Sequence, residues 1–480
     1  MNNRVLLINP PVADNKVWVR EGRCQQWDIW GAPFPPFSLA MISRQMTNAG
    51  RDTRIIDAGP QHKTLDDVLN EAKKYDPYLV ILATTSPTLY SDLSWFTTAL
   101  KRTLPSIFIA AIGIHVSSYP KETLVRFGLL DGVIIGEPEL TAFELSSVLY
   151  AGNDLDNVPG LGFRGSNGEI RINPSRKFAP EIDLLGVPEW EKISVTDYML
   201  PIFNRPFLLI GFSRGCPHKC RFCAAHVYNG RLLRRRSVPA IIQEIKRNLQ
   251  LGVSDFLFWN EHMTIDRSYL MDFLDALVEN NLHNKIKWVC NSRVDSVDQE
   301  MLHQMHEAGC WQIAYGFEFG DDETLRLANK GGRASVQQGR VAAEMADRAG
   351  IFVDGHFMMG YPGETVKSLK DTIAFACSLP LTFAHFYATV PFPGSDLYEE
   401  ALEKGWICED DWGSLTQDVS AIKTEVLSTD DVNDHIRRAY IRFYGNPVQW
   451  LKILSIAKSM KDVFGVIGTG IKFSTSMIRR

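Results

Sequence analysis

The chain has 480 residues, of which 45% are hydrophobic and 22% charged, too long for one core and ordinary in composition for a globular protein of two or three domains. Its formal charge of -5 gives no electrostatic case for a nucleic-acid partner, and eight cysteines are no disulfide framework. No stretch reaches the roughly 18 apolar residues of a membrane-spanning helix, and the N-terminal apolar run is too short for a signal peptide, so the expected location is the cytoplasm.

From the N-terminus, short apolar strands are expected at 5–9, 53–57, 79–84, 107–112 and 132–135, alternating with helical patterns at 39–49, 65–73 and 93–103. Nearly all-apolar strands separated by helices indicate a parallel sheet covered on both faces. This predicts a flavodoxin-like (Rossmann-like) α/β domain over residues 1–150. Ligands of such sheets bind beyond the carboxyl ends of the strands. The loops there hold Ser86 and Thr88, then Gly113 and His115, then Gly136 and Glu137, the candidate cofactor contacts of this domain. Both glycines directly follow strands, where a missing side chain admits close approach, or simply a turn. The connection 20–39 is unusually long and rich in aromatic residues and proline; it either covers a ligand or plugs the space beneath a loop.

Residues 151–204 form a bridge whose segment NVPGLGFRGSNGEIRINPSRKF reads as a hairpin turning at 166–169. A strand at 207–211 then leads into FSRGCPHKCRFCAA. Three of the eight cysteines, Cys216, Cys220 and Cys223, crowd into this loop with the spacing Cys-x3-Cys-x2-Cys. Thiolates are suited to iron–sulfur centres, whereas zinc sites present paired cysteines and a fourth ligand. His218 lies between the cysteines but reads as a loop residue. Five more strands are expected at 255–259, 286–290, 312–317, 353–359 and 384–390, with helices at 241–251, 268–280, 299–308, 336–349 and 365–378. Six such units make a partial (β/α)6 barrel over 205–410, whose chemistry belongs at the carboxyl ends of its strands. The side chains there are Asn260 and Glu261, then Asn291, Ser292 and Arg293, then Glu318, then Gly360. A carboxylate suits an ammonium and an arginine suits a carboxylate. Residues 411–480 are expected to be mainly helical, with 410–444 helical and polar. In the last thirty residues basic and apolar residues interleave, a pattern that fits either a membrane surface or a helix packed on the barrel.

The cysteine spacing, with glycine before the first ligand and an aromatic between the last two, resembles the radical SAM superfamily, as do GFEFG and MGYPGET; the likeness spans about 205–410. The resemblance implies that Cys216, Cys220 and Cys223 hold a 4Fe-4S cluster. Its open iron would chelate S-adenosylmethionine, and an electron from a flavodoxin or ferredoxin would release a 5′-deoxyadenosyl radical. Asn260, Glu261, Asn291, Ser292, Arg293, Glu318 and Gly360 would then contact S-adenosylmethionine. In GFEFG, phenylalanine stands where the family has serine, which removes one hydroxyl contact.

Residues 1–150, through SPTLYSD, GIHVSSYP and DGVIIGEPE, resemble the cobalamin-binding domains that precede many radical enzymes. The first loop, PPVADNK, lacks the histidine that ligates cobalt in mutase-type domains; the resemblance therefore implies base-off cobalamin, with Ser86, Thr88, Gly113, His115, Gly136 and Glu137 as contacts. Two activities share this layout. One is methylation of an unactivated carbon or phosphinate through methylcobalamin; the other is cyclisation or rearrangement of a tetrapyrrole or lipid-like substrate, as in the anaerobic magnesium-protoporphyrin monomethyl ester cyclase group. The sequence leaves both open, with methylation leading and a non-catalytic regulatory protein as the remote alternative. The expected partner is a small molecule, large or partly hydrophobic. Tyr315 and Tyr387 are either hydrogen donors or core residues.

Overall fold

A computed structural model describes residues 2–13, 16–21, 24–27, 33–200, 202–330, 334–408, 411–457, 459–460, 462–468 and 470. Strands β1 (Arg4–Asn9), β4 (Asp52–Asp57), β5 (Leu79–Ala83), β6 (Phe108–Ile112) and β7 (Gly132–Ile134) form the parallel part of a sheet ordered β4-β1-β5-β6-β7. Between β1 and β4 lies an antiparallel hairpin of β2 (Trp18–Glu21) and β3 (Cys24–Trp27). Each central strand is buried along its length because helices cover both faces. The bridge forms the expected hairpin, β8 (Leu161–Arg164) and β9 (Ile170–Ile172), and this hairpin adds antiparallel to β7 as the edge of the same sheet.

The second sheet begins with β10 (Met199–Leu200), antiparallel to β11 (Arg205–Gly211). The cysteine loop follows, flanked by the small pair β12 (Ser213–Arg214) and β13 (Arg234–Arg235). Strands β14 (Asp255–Trp259), β15 (Lys287–Ser292), β16 (Cys310–Glu318), β17 (Phe352–Met359) and β18 (Phe383–Ala388) continue parallel to β11 in sequence order. The result is the expected six-stranded partial barrel. Its intervening helices start on side-chain caps at Ser237, Asp266, Asp298, Ser335 and Thr365, each satisfying an N–H that the helix leaves open.

The edge strand β18 is covered by the helix Thr429–Tyr444: Tyr444 Oη accepts from Ala384 N and Tyr440 Oη from Phe386 N, both at 3.1 Å. An unpaired strand edge is thereby closed to other chains. The expected helix over 410–444 is only this C-terminal part. Upstream, Trp412, Leu415, Ile422 and Leu427 are each buried, and their irregular spacing makes no helical stripe; the segment runs as a strap with a short 3-10 turn at Trp412–Ser414.

One core runs from the first sheet into the second through Phe37, Trp190, Tyr198 and Phe207. Fully buried Trp190 sits in the bridge, where truncation to alanine typically costs about 3–5 kcal/mol. Beside it Ser43 and Thr47 donate to Glu189 at 2.5 and 2.9 Å, and Tyr198 Oη donates to Asp57 at 2.8 Å. The bridge therefore ties the helix Phe37–Asn48 and β4 of the first sheet to the start of β11 in the second.

Candidate active site

The cysteine loop owes its path to Gly215. Its φ is +89°, and a Cβ there would lie 2.1 Å from the Leu232 carbonyl oxygen, so only glycine fits. The loop is then tied down residue by residue. Cys216 N donates to Gly230 O at 3.2 Å, Arg221 N to Ala328 O at 3.0 Å, and Cys223 N to Cys220 O at 3.1 Å. Arg231 and Asn329 hold the carbonyls of His218 and Lys219, both at 2.9 Å. All three cysteines are half-buried and none is joined in a disulfide. Among the described residues, the group compact enough for a single metal ion is Asp354, His356 and His385, not the cysteines. Three wider-set thiols on one anchored loop fit a cluster rather than a lone ion.

Above the carboxyl ends of the barrel strands lies a chamber of about 260 Å³. Its wall includes Cys223, Glu261, Asn291, Ser292, Arg293 and Glu318, six of the sequence candidates, together with Ile114 from the first sheet's loops. Glu261 accepts from Asn229 Nδ2 at 2.5 Å. Arg293 is already committed: Nε and Nη2 both reach Asp295 at 2.8 Å, and Nη1 reaches Lys330 O at 2.6 Å and stands 3.9 Å from Cys220 Sγ. Ser292 bonds Thr264, within a network that includes His262 and Ser296. Burial pushes the His262 imidazole down to about 3, so the network is neutral in working buffers. Asn260 turns into its own loop, its amide placed to meet Phe258 O at 3.2 Å and Met263 N at 3.0 Å. Tyr315 is fully buried, whereas Tyr387 lines the chamber.

Glu318 has a φ of +65°, strain of the kind that concentrates at functional positions. Its carboxylate is paired with Lys330, and both side chains are about nine-tenths buried. The pair lies over Gly316, where a Cβ would come within 2.5 Å of Glu318 Oε1 and 2.9 Å of Lys330 Nζ. This explains the glycine two positions before the glutamate. Lys330 was not among the sequence candidates; only its place before two glycines in the loop after the helix Asp322–Leu327 hints at it. Gly360 is used internally: its N–H and that of Tyr361 both donate to Glu364 at 2.8 Å. Burial raises the Glu364 carboxyl to about 8 despite these bonds.

The candidates of the first sheet are placed otherwise. Ser86 Oγ and His115 Nδ1 are bonded at 3.1 Å, and Thr88 donates to Asp92 at 2.5 Å beside the buried Arg20–Asp92 pair. Gly113 makes room for protein rather than ligand, since a Cβ there would stand 2.3 Å from Thr84 O. At Gly136 a Cβ would meet nothing nearer than 3.8 Å, which leaves a small cradle. Glu137 is a bolt between the sheets: Arg234 grips both its carboxylate oxygens and Arg214 stands 3.4 Å away.

One buried polar atom on this side without a hydrogen bond is His115 Nε2; burial pushes its imidazole down to about 3. Trp412 packs edge-on against the ring, centroids 4.4 Å apart. The cradle at Gly136, His115 Nε2 and Ile114 would suit the rim of a bound cobalamin. Of the long connection, Phe34 packs against Phe207 and Trp259 at the barrel wall, while 28–32 lie outside the described residues.

Comparison with known proteins agrees with both halves. The family model described as the radical SAM superfamily matches residues 210–376, and the B12 binding domain matches 30–146. An uncharacterized methyltransferase of Pyrococcus horikoshii is 28% identical over 92% of this chain and 93% of its own. The anaerobic magnesium-protoporphyrin IX monomethyl ester cyclase of Cereibacter sphaeroides is 24% identical over 86% of this chain and 67% of its own. Among solved structures, the radical S-adenosylmethionine methyltransferase TsrM from Kitasatospora setae, determined with cobalamin and a 4Fe-4S cluster, shares the fold with a TM-score of 0.69 at 18% identity, covering 84% of this chain and 75% of that one. With the anchored three-cysteine loop at the mouth of a six-stranded barrel and a B12 binding fold ahead of it, the chain carries a radical SAM domain preceded by a B12 binding domain.

Proposed function

We propose that the protein is a cobalamin-dependent radical SAM methyltransferase acting on an unactivated carbon or phosphinate of a small, partly apolar metabolite. The observation that carries this reading is the chamber itself, which joins Cys223, Glu261, Arg293 and Glu318 to Ile114 of the B12-binding fold. Cys216, Cys220 and Cys223 would hold the cluster. When bound, the cluster supplies the electron that cleaves S-adenosylmethionine, and cobalamin supplies the methyl group. The chain's own part is placement. Glu261 offers a carboxylate to the methionine ammonium. Arg293, braced by Asp295, keeps a positive charge beside Cys220. The Glu318–Lys330 pair offers an acceptor and a donor over the bare backbone of Gly316.

Beneath this chamber a second, apolar one of about 290 Å³ is lined by Phe34, Phe207, Leu257, Trp311, Phe383 and Ile453. It shares Asn291, Ala314, His356 and Tyr387 with the first, so an apolar substrate body can lie below with its reacting carbon facing the cysteine loop. Cyclisation without methyl transfer is the second reading, favoured by the likeness to the Cereibacter cyclase.

Anaerobic protein from cobalamin-supplied cells, given a strong reductant and S-adenosylmethionine carrying a labelled methyl group, tests both. The expected result is four irons and one cobalamin per chain, 5′-deoxyadenosine formation that Cys216→Ala abolishes, and label in a product from cell extract. Deoxyadenosine with no transferred label moves the assignment to cyclisation. No deoxyadenosine from the fully loaded protein sinks the enzyme reading.

Among the described residues no helix is long and apolar enough to cross a membrane. Surface contact is proposed for the C-terminal tail because Leu451, Met460 and Phe464 are each about two-thirds exposed near Lys452. Flotation with anionic vesicles, lost when the last thirty residues are removed, tests this.

A further inference from the structure

Most of the lower chamber's lining is apolar, and one polar group inside it has no part in the reading above. β17 and β18 pair in register with His356 beside His385, and Asp354 lies two residues earlier on the same face of β17. The two imidazoles stack with centroids 4.9 Å apart and planes 15° from parallel. Both direct Nε2 at one carboxylate: His385 stands 3.2 Å from Asp354 Oδ1 and His356 stands 3.7 Å from Oδ2. The ligand atoms of all three residues lie within 4.8 Å of one another. Asp354 is 93% buried, being 7% exposed, and its Oδ1 accepts no hydrogen bond of standard geometry. Oδ2 accepts from Gln312 Nε2 at 3.2 Å, a bond from β16 that fixes the carboxylate plane as outer partners of metal ligands do.

We propose that Asp354, His356 and His385 form a binding site for one divalent transition-metal ion, separate from the cysteine loop. Two imidazoles and a carboxylate are the donor set for borderline ions such as zinc or ferrous iron, whereas all-oxygen sites suit magnesium or calcium. Three protein ligands leave coordination positions open. Those positions face the cavity, because His356 lines both chambers while Asp354 and His385 line the lower one. The site thus sits where the two chambers join.

The test uses the full chain with its cluster intact. The protein is treated briefly with a chelator, desalted, given one equivalent of zinc and desalted again, after which retained zinc and iron are counted and the zinc X-ray absorption edge is recorded. The expected result is about one retained zinc with nitrogen and oxygen neighbours at about 2.0–2.1 Å, and iron unchanged. His385→Ala and, separately, Asp354→Asn should lower zinc affinity at least tenfold while far-ultraviolet circular dichroism and iron content stay as in the parent. The parent's absorption spectrum stands even if a variant folds poorly. No retained zinc, retention unaffected by either variant, or sulfur neighbours at about 2.3 Å, the mark of zinc on the cysteine loop, each overturns the proposal.

Discussion

The two sheets are made from the same parallel strand–helix repeat and yet differ in what their strands carry. In the first, β5 and β1 are buried at nearly every position. In the second, β15 and β18 alternate strictly between buried and half-buried residues. A sheet covered by helices on both faces has no interior for a ligand, so its polar groups gather at the strand ends, where they bond one another: Ser86 with His115, Thr88 with Asp92. A sheet curled on itself turns every second residue into a lumen. Asn291, Gln312, His356, His385 and Tyr387 all occupy such positions. The difference teaches that one repeat yields a closed cofactor platform or an open reaction vessel according to whether the polar residues stop at the strand ends or continue down alternate positions.

Two glycine substitutions break the comparison most sharply. At Gly215 and Gly113 a Cβ would collide with a backbone carbonyl oxygen, at 2.1 and 2.3 Å. Gly215→Ala should abolish iron binding and S-adenosylmethionine cleavage while leaving the first sheet folded, as read by iron analysis and circular dichroism. Gly113→Ala should do the reverse, lowering retained cobalamin severalfold with iron near normal. If both variants lose both cofactors equally, the two sheets fold as one unit and the contrast between platform and vessel has no energetic meaning.

The Glu137–Arg234 bolt gives the next largest effect. Arg234→Ala leaves the buried Glu137 carboxylate with only Arg214, 3.4 Å away, and removing one partner of such a pair typically costs about 3–5 kcal/mol. Denaturant unfolding should show that loss, with Glu137→Gln costing less because its amide oxygen still accepts from Arg234, which also donates to the Ala179 and Asn229 carbonyls. Within the vessel, Lys330→Met keeps the bulk of the side chain and removes its charge. Cleavage of S-adenosylmethionine should fall by about a hundredfold, the scale of losing one preorganised polar contact. The iron count should stay intact, and an unchanged rate would reduce the Glu318–Lys330 pair to a fold element.

Much of this was legible in the chain. β14 spans 255–259 as expected from the sequence, and the three-cysteine spacing marks its loop directly. Local pattern failed where the decisive contact comes from far along the chain. Gly113 looks like an opening for a ligand until the Thr84 carbonyl fills the space. Glu137 looks like a cofactor contact until Arg234, ninety-seven positions later, takes both its oxygens. Arg293 looks free for a substrate carboxylate, although Asp295 two positions on was a visible competitor. The lumen residues were missed for a different reason: Asp354, His356 and His385 sit in strands apolar enough to read as core. Their signal is the period of two, which places the polar residues of FVDGHFMM and FAHFYA on one face.

The smallest effect is a slope. Glu364 sits in the MGYPGET turn, away from the lumen, with its carboxyl raised by burial from an ordinary 4.5 to about 8. Between those values the folded protein keeps a proton that the unfolded chain has released. Its contribution to stability is therefore full below about pH 4.5 and is lost as pH rises towards 8, at no more than about 1.4 kcal/mol per pH unit. Glu364→Gln retains an oxygen for the Gly360 and Tyr361 N–H groups and cannot titrate. Its unfolding free energy, measured across pH 5 to 8, should fall less steeply than the parent's, so that the two curves converge or cross as pH rises. Parallel curves would mean that the two N–H bonds outweigh burial and hold Glu364 ionised throughout, which would make the turn a carboxylate clamp and place its strength in those two bonds rather than in a buried proton.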